Sequence, residues 1–143
     1  MPVPETPLLT VDCLIRLDGD PYRVVLIERR NPPHGLALPG GFVDRGERVE
    51  NAARREAREE TGLQVELLCL LGVYSDPARD PRGHTVSCVY VADARGKPVA
   101  ADDAVAIAIA DPRSHGELAF DHATILGDYL RWLTSGDVAP LRY

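Results

Sequence analysis

Three observations place this chain of 143 residues in the α/β class with a mixed central sheet. Strand-like runs open it, an amphipathic helix rich in Glu and Arg follows, and further apolar runs precede a last stretch with helical spacing. Leu8 to Leu17 and Tyr22 to Arg29 are apolar or alternating runs parted by Asp18-Gly19-Asp20-Pro21, a strong turn signal, so they read as an antiparallel hairpin. Asn31-Pro32-Pro33-His34-Gly35 breaks the pattern, and Leu36-Ala37-Leu38 resumes it briefly before Pro39-Gly40-Gly41 turns the chain. Adjacent glycines let backbone approach an ion or phosphate closely, beside their plainer use in a tight turn.

The next segment, from about Arg48 to Thr61, predicts a helix that Gly62 stops. At about 100° per residue, Glu56, Glu59 and Glu60 share roughly 100° of arc with Val49, Ala52 and Ala53. The three carboxylates therefore continue an apolar stripe and point inward, while Arg48, Asn51, Arg54 and Arg58 cover the outer side. A charged surface helix laced with ion pairs would not carry that phase. Clustered carboxylates repel unless a cation joins them, and a hard divalent ion with oxygen ligands and substrate phosphates is the matching chemistry.

Beyond the helix, Val65 to Ser75 and His84 to Ala92 are strand-like, Val105 to Ile109 is a shorter strand candidate, and Asp121 to Leu133 has helical spacing through Ala123, Leu126, Leu130 and Leu133. The tail after Thr134 is expected to be ordered only through a neighbour. One domain over 1–143 accounts for the length.

A formal charge of −6 without a basic run argues against polymeric nucleic acid as a partner. No stretch is long and apolar enough for a membrane span, and Met1 to Glu5 lacks the basic start of a signal peptide, so the cytoplasm is the expected location. Cys13, Cys69 and Cys88 each sit in a predicted strand among apolar neighbours, as reduced, buried thiols do, and lack metal-ligand spacing.

Gly41, Glu47 and the run Arg55-Glu56-Ala57-Arg58-Glu59-Glu60-Thr61-Gly62-Leu63 match the Nudix box, G-x5-E-x7-R-E-U-x-E-E-x-G-U, at every specified position. The chain thus resembles Nudix hydrolases over essentially its whole length. The resemblance implies an α/β/α sandwich and Mg²⁺- or Mn²⁺-dependent cleavage of a nucleoside diphosphate linked to another moiety. It implies metal ligation by Glu56, Glu59 and Glu60, with a backbone carbonyl around Gly40 assisting, Glu47 as an outer partner, and Arg55 orienting the carboxylates by ion pairing. Many relatives are homodimers.

Ser75-Asp76-Pro77-Ala78-Arg79-Asp80-Pro81-Arg82-Gly83-His84 lies between two predicted strands, where loops often carry function. Arg79 and Arg82 can bind a diphosphate with their planar forks or order the loop by pairing with Asp76 and Asp80. His84 is grouped with them on the substrate side, beside the plainer role of a hydrogen-bonded structural histidine. The stretch resembles ADP-ribose pyrophosphatases, as does Leu118-Ala119-Phe120-Asp121-His122, and Pro77 stands at the position those enzymes mark with proline. The implied reaction is ADP-ribose plus water to AMP and ribose 5-phosphate, with NDP-sugars as the alternative. Some such enzymes use a glutamate of a later loop as general base. The run after Asp102-Asp103-Ala104 lacks an acid, which leaves Glu117 for that role. Tyr74, Tyr90 and Phe120 are the aromatic candidates for stacking on adenine. A non-catalytic ligand sensor is the contrasting reading, and retention of all box carboxylates speaks against it.

Overall fold

The computed structural model describes residues 2–101 and 104–143; Asp102 and Asp103, the acidic pair singled out in the sequence, lie outside the described residues. β1 (Leu8–Leu17) and β2 (Asp20–Arg29) form a hairpin. Asp18 and Gly19 both take left-handed backbone, at φ 53° and 75°, in a two-residue turn that suits the twist of the strands. Asp20 and Pro21, read from sequence as part of the turn, therefore already belong to β2.

The hairpin strands pair only near this closed end, from Arg16 opposite Val24 to Leu17 opposite Asp20, and then part. Short β3 (Leu36–Ala37) pairs with the far half of β2, and β4 (Gly40–Phe42) with the opening half of β1. The Leu38–Pro39 connection thus sits in a split between β1 and β2, and that split becomes the cleft. β1 runs parallel to β6 (Thr85–Ala94) along its whole length, β6 antiparallel to β5 (Glu66–Tyr74), and β7 (Ala104–Ala110) antiparallel to β2. The result is a mixed seven-stranded sheet.

Both faces of the central strands are buried, which is why these segments read as near-continuous apolar runs. Leu14, Val24, Leu26 and Val91 pack with Ile125, Leu126 and Tyr129 of α2 (His122–Ser135). Cys13, Ile15, Val25 and Ala92, one residue out of phase, cluster with Ala57 of α1 (Val49–Thr61). This alternation is what a pleated strand imposes when each face carries a helix, and it gives the α/β/α sandwich. Burial pushes the Cys13 thiol up to about 12, so it stays protonated and inert, whereas Cys69 and Cys88 are only half-buried. Among the described residues no helix is long and apolar enough to cross a membrane.

α1 begins after an extended Arg48 and ends at Gly62, whose φ of 73° places its N–H on the Arg58 carbonyl. Ala52, Ala53 and Ala57 are fully buried, and their small side chains let the helix lie close on the sheet. The tail departs from expectation, because it docks on its own chain. Ala139 N–H donates to Leu71 O at 2.8 Å, and Arg142 forks onto the Asp128 carboxylate at 2.9 and 2.8 Å. Asp128 also accepts the Tyr74 hydroxyl at 2.7 Å. A largely buried acid on α2 needs a cation, and the tail supplies it.

Candidate active site

The split between β1 and β2 opens into a cleft of about 260 Å³ whose inner end is acidic. Glu60, only 5% exposed, reaches it from the buried face of α1, and its Oε2 has no hydrogen-bond partner. Burial first, and the nearby Glu56 second, push its carboxyl up to about 9. Burial also raises Glu56, against the pull of Arg55.

The two glycines explain how the carboxylates come so close to backbone. A Cβ on Gly40 would fall on the Val11 carbonyl and the Asp12 carboxylate; one on Gly41 would lie 2.6 Å from the Glu56 carboxyl carbon. Cys13 N–H donates to Pro39 O at 2.8 Å and Val43 N–H to Leu9 O at 3.1 Å. Ladder bonds thus alternate so that the Gly40 N–H and C=O both turn away from β1 into the cleft. There the N–H faces Glu60 and opposes the upward shift of its carboxyl.

Arg55 gathers the remaining acids. Its Nε and Nη2 fork onto Glu47 at 2.7 and 2.9 Å, while Nη1 bonds Glu56 at 2.8 Å and Glu59 at 3.1 Å. The fork, helped by the Asp44 N–H, draws the Glu47 carboxyl down to about 2. Glu59 therefore sits half-exposed against Arg55 and does not line the cleft. Among the described residues no three Asp, Glu, His or Cys side chains converge as a ready-made metal shell. The donor set still suits a hard divalent cation, because such an ion would satisfy the orphaned Glu60 oxygen beside Glu56.

The opposite wall is a closed network of charges. Arg79, 7% exposed, forks onto Asp121 at 3.0 and 2.8 Å and donates to Thr85 Oγ1 at 2.9 Å. Its Nη2 stands 3.8 Å from Asp12 Oδ2, which accepts the Ser87 hydroxyl at 2.5 Å and lies 3.6 Å from His122 Nε2. Arg82 pairs with Asp80 at 3.0 and 2.8 Å at the cleft mouth, its guanidinium 5.4 Å from both the Phe42 and Phe120 rings.

Of the residues read from sequence, Gly40, Arg55, Glu56, Glu60, Arg79 and Arg82 line one cleft. Arg82 takes the Asp80 partner foreseen for it, but Arg79 bonds Asp121 rather than Asp76 and has no fork left to offer. His84 lies outside the cleft with Nε2 3.0 Å from Ser75 O, and Glu117 is exposed on a loop off the cleft wall. Tyr74 and Tyr90 are buried with hydroxyls bonded to Asp128 and Glu50, which leaves Phe120 as the cleft aromatic of the three. Sequence reasoning missed Asp12, Phe42 and the role of His122. Asp12 was detectable as an acid inside an apolar strand, a position that demands partners.

The NUDIX domain profile matches residues 6–133, and the chain belongs to that family. It is 47% identical over 129 residues to an ADP-ribose pyrophosphatase of Methanocaldococcus jannaschii, covering 88% of this chain and 75% of that protein. It is 37% identical over 92 residues to the ADPR responsive transcriptional repressor NtrR of Acinetobacter baylyi, covering 61% of this chain and 37% of the repressor. Among solved structures, the NUDIX domain of Shewanella oneidensis NrtR complexed with ADP ribose superimposes with a TM-score of 0.75 at 27% identity, covering 90% of each chain.

Proposed function

We propose that this chain is a pyrophosphohydrolase that cleaves ADP-ribose to AMP and ribose 5-phosphate, with Mg²⁺ or Mn²⁺ held at the Glu56–Glu60 end of the cleft. One observation carries the reading: a buried carboxylate with an orphaned oxygen beside a second carboxylate, at a pair of strand glycines whose missing side chains let backbone approach closely. Similarity to the archaeal ADP-ribose pyrophosphatase supplies the substrate class. A cation bound there neutralises charge on the diphosphate and lowers the pKa of an attacking water.

The chain's own groups do the positioning. Arg55 orients Glu56 and holds Glu47 and Glu59 beside it, and Glu59 joins the ligand set only by leaving this pairing. Arg82, at the mouth and partly exposed, takes the diphosphate or the terminal ribose with its planar fork. Arg79 holds the loop that carries Arg82. We assign the chain to the cytoplasm, where free thiols persist, and to a homodimer in which a second copy covers Leu68, Leu70 and Val73, exposed on β5. A sensor of ADP-ribose is the second reading, suggested by the repressor relative.

Turnover of ADP-ribose, NDP-sugars, NADH and nucleoside triphosphates, each with Mg²⁺ and again with EDTA, tests the proposal. AMP release from ADP-ribose that EDTA abolishes is expected. Tight ADP-ribose binding without product at any metal concentration would give the chain to the sensor class.

A further inference from the structure

We propose that His122 is a positioning residue which fixes the segment entering Gly40 against Glu60, acting through the backbone N–H of Leu38. The inference rests on reading the Glu56–Glu60 end as the cation site.

Leu38 is 2% exposed and lies between β3 and β4, where no strand accepts its N–H. A buried donor in that position must find a partner. It donates to His122 Nδ1 at 3.0 Å. Pro39 carries no N–H, and its carbonyl is taken by Cys13. The segment entering Gly40 is thus held from two sides, by β1 and by one imidazole.

Because Nδ1 accepts, the ring is neutral with its proton on Nε2. Nε2 lies 3.6 Å from Asp12 Oδ2, beyond hydrogen-bond range, and the other Asp12 oxygen lies against Gly40, where a Cβ would fall. His122 therefore reaches the segment entering Gly40 through its bond to Leu38. With Nδ1 committed to Leu38 and 1% of its surface exposed, it is no proton shuttle. The backbone leading to it is strained: Phe120 has φ 56°, a conformation an aromatic residue rarely adopts. Two residues later His122 enters the split sheet, while Asp121 between them meets Arg79.

The test separates the two nitrogens. In His122→Asn the amide oxygen lies where Nδ1 lay and still accepts from Leu38; in His122→Gln the amide reaches the Nε2 position and leaves Leu38 unpaired. Metal-free protein is titrated with Mn²⁺ alone by calorimetry, then assayed for kcat and KM. Partners behind a metal site typically change affinity or activity by about ten- to a hundred-fold. The Gln variant should weaken Mn²⁺ binding and lower kcat by about ten-fold or more, with KM within about three-fold. The Asn variant should keep both within about three-fold. Wild-type Mn²⁺ affinity and kcat in the Gln variant overturn the proposal, and so do equal losses in both variants. Should neither variant fold, ¹⁵N spectra of the wild-type imidazole decide: a proton on Nδ1 overturns it, one on Nε2 supports it. The Mn²⁺ titration and the spectra need no substrate, so failure of ADP-ribose turnover leaves this test standing.

Discussion

Glu60 and Arg79 are both charged side chains taken almost wholly out of water, at 5% and 7% exposure, on facing walls of one cleft. Arg79 is fully matched: Asp121 fills its fork, Thr85 takes a third N–H, and Asp12 stands behind. Glu60 is the reverse, with an orphaned oxygen, another carboxylate beside it, and a pKa driven far from its usual range. Burial alone does not distinguish structural from functional charge; completeness of pairing does. A satisfied network sets shape, and an unsatisfied one waits for a ligand.

The sharpest way to break this contrast is to unbalance the matched wall. Arg79→Met strands Asp121 and Asp12 without their cation, and breaking such a pair costs about 3 to 5 kcal/mol. Denaturant unfolding should report that loss. A midpoint like wild type, with lost ADP-ribose affinity, would instead make Arg79 a substrate ligand.

Removing the unmatched charge should do the opposite. Glu60→Gln should cut turnover by roughly two orders of magnitude or more, as loss of a principal electrostatic stabiliser does, while metal-free stability holds or rises. The sign follows from linkage: folding raises this carboxyl from 4.5 to about 9. Its contribution to stability is complete below pH 4.5 and is lost as pH rises through about 9. In EDTA the variant's thermal midpoint should therefore gain on wild type steadily from pH 5 to pH 9, and Mg²⁺ should raise only the wild type. A variant that stays active, or that destabilises as pH rises, would end the metal assignment.

Arg82 lies between the two extremes, paired with Asp80 yet partly exposed at the mouth. A charge-assisted contact is worth about 1.5 to 3 kcal/mol, so Arg82→Ala should lower kcat/KM for ADP-ribose by roughly ten- to a hundred-fold with little change in melting. Lys should rescue only partly, lacking the fork. Lost stability with unchanged kcat/KM would move Arg82 to the structural side.

The smallest effect is expected at Glu117, exposed and off the cleft wall. Glu117→Gln should change kcat at saturating substrate by less than about two-fold; a ten-fold fall would mean that its loop closes over the cleft and brings a base within reach of water.

Local chemistry determined much of this protein in advance. The period of the apolar runs foretold the long strands and both helices, though not β4, whose Gly40 and Gly41 read from sequence as a turn but pair with β1; Gly62 ended α1 where expected, and the phase of Glu56 and Glu60 pointed them inward, because these are properties of neighbours along the chain. Glu59 shows the limit. It shares the helical arc of the other two, yet Arg55 draws it outward, and that depends on where Glu47 and the Phe42 carbonyl also meet the guanidinium. Arg79 shows it more fully, since its partner Asp121 lies 42 residues away and the sequence offered the nearer Asp76 and Asp80. The tail, too, found Asp128 on its own chain rather than a neighbour. Sequence alone determined which residues form elements and which faces are apolar, because hydrogen bonding and burial within an element are periodic. Only the tertiary structure decided which charges are spent on one another and which remain open for a ligand, because ion pairing depends on distance through space and on exclusion of water, and neither follows a period along the chain.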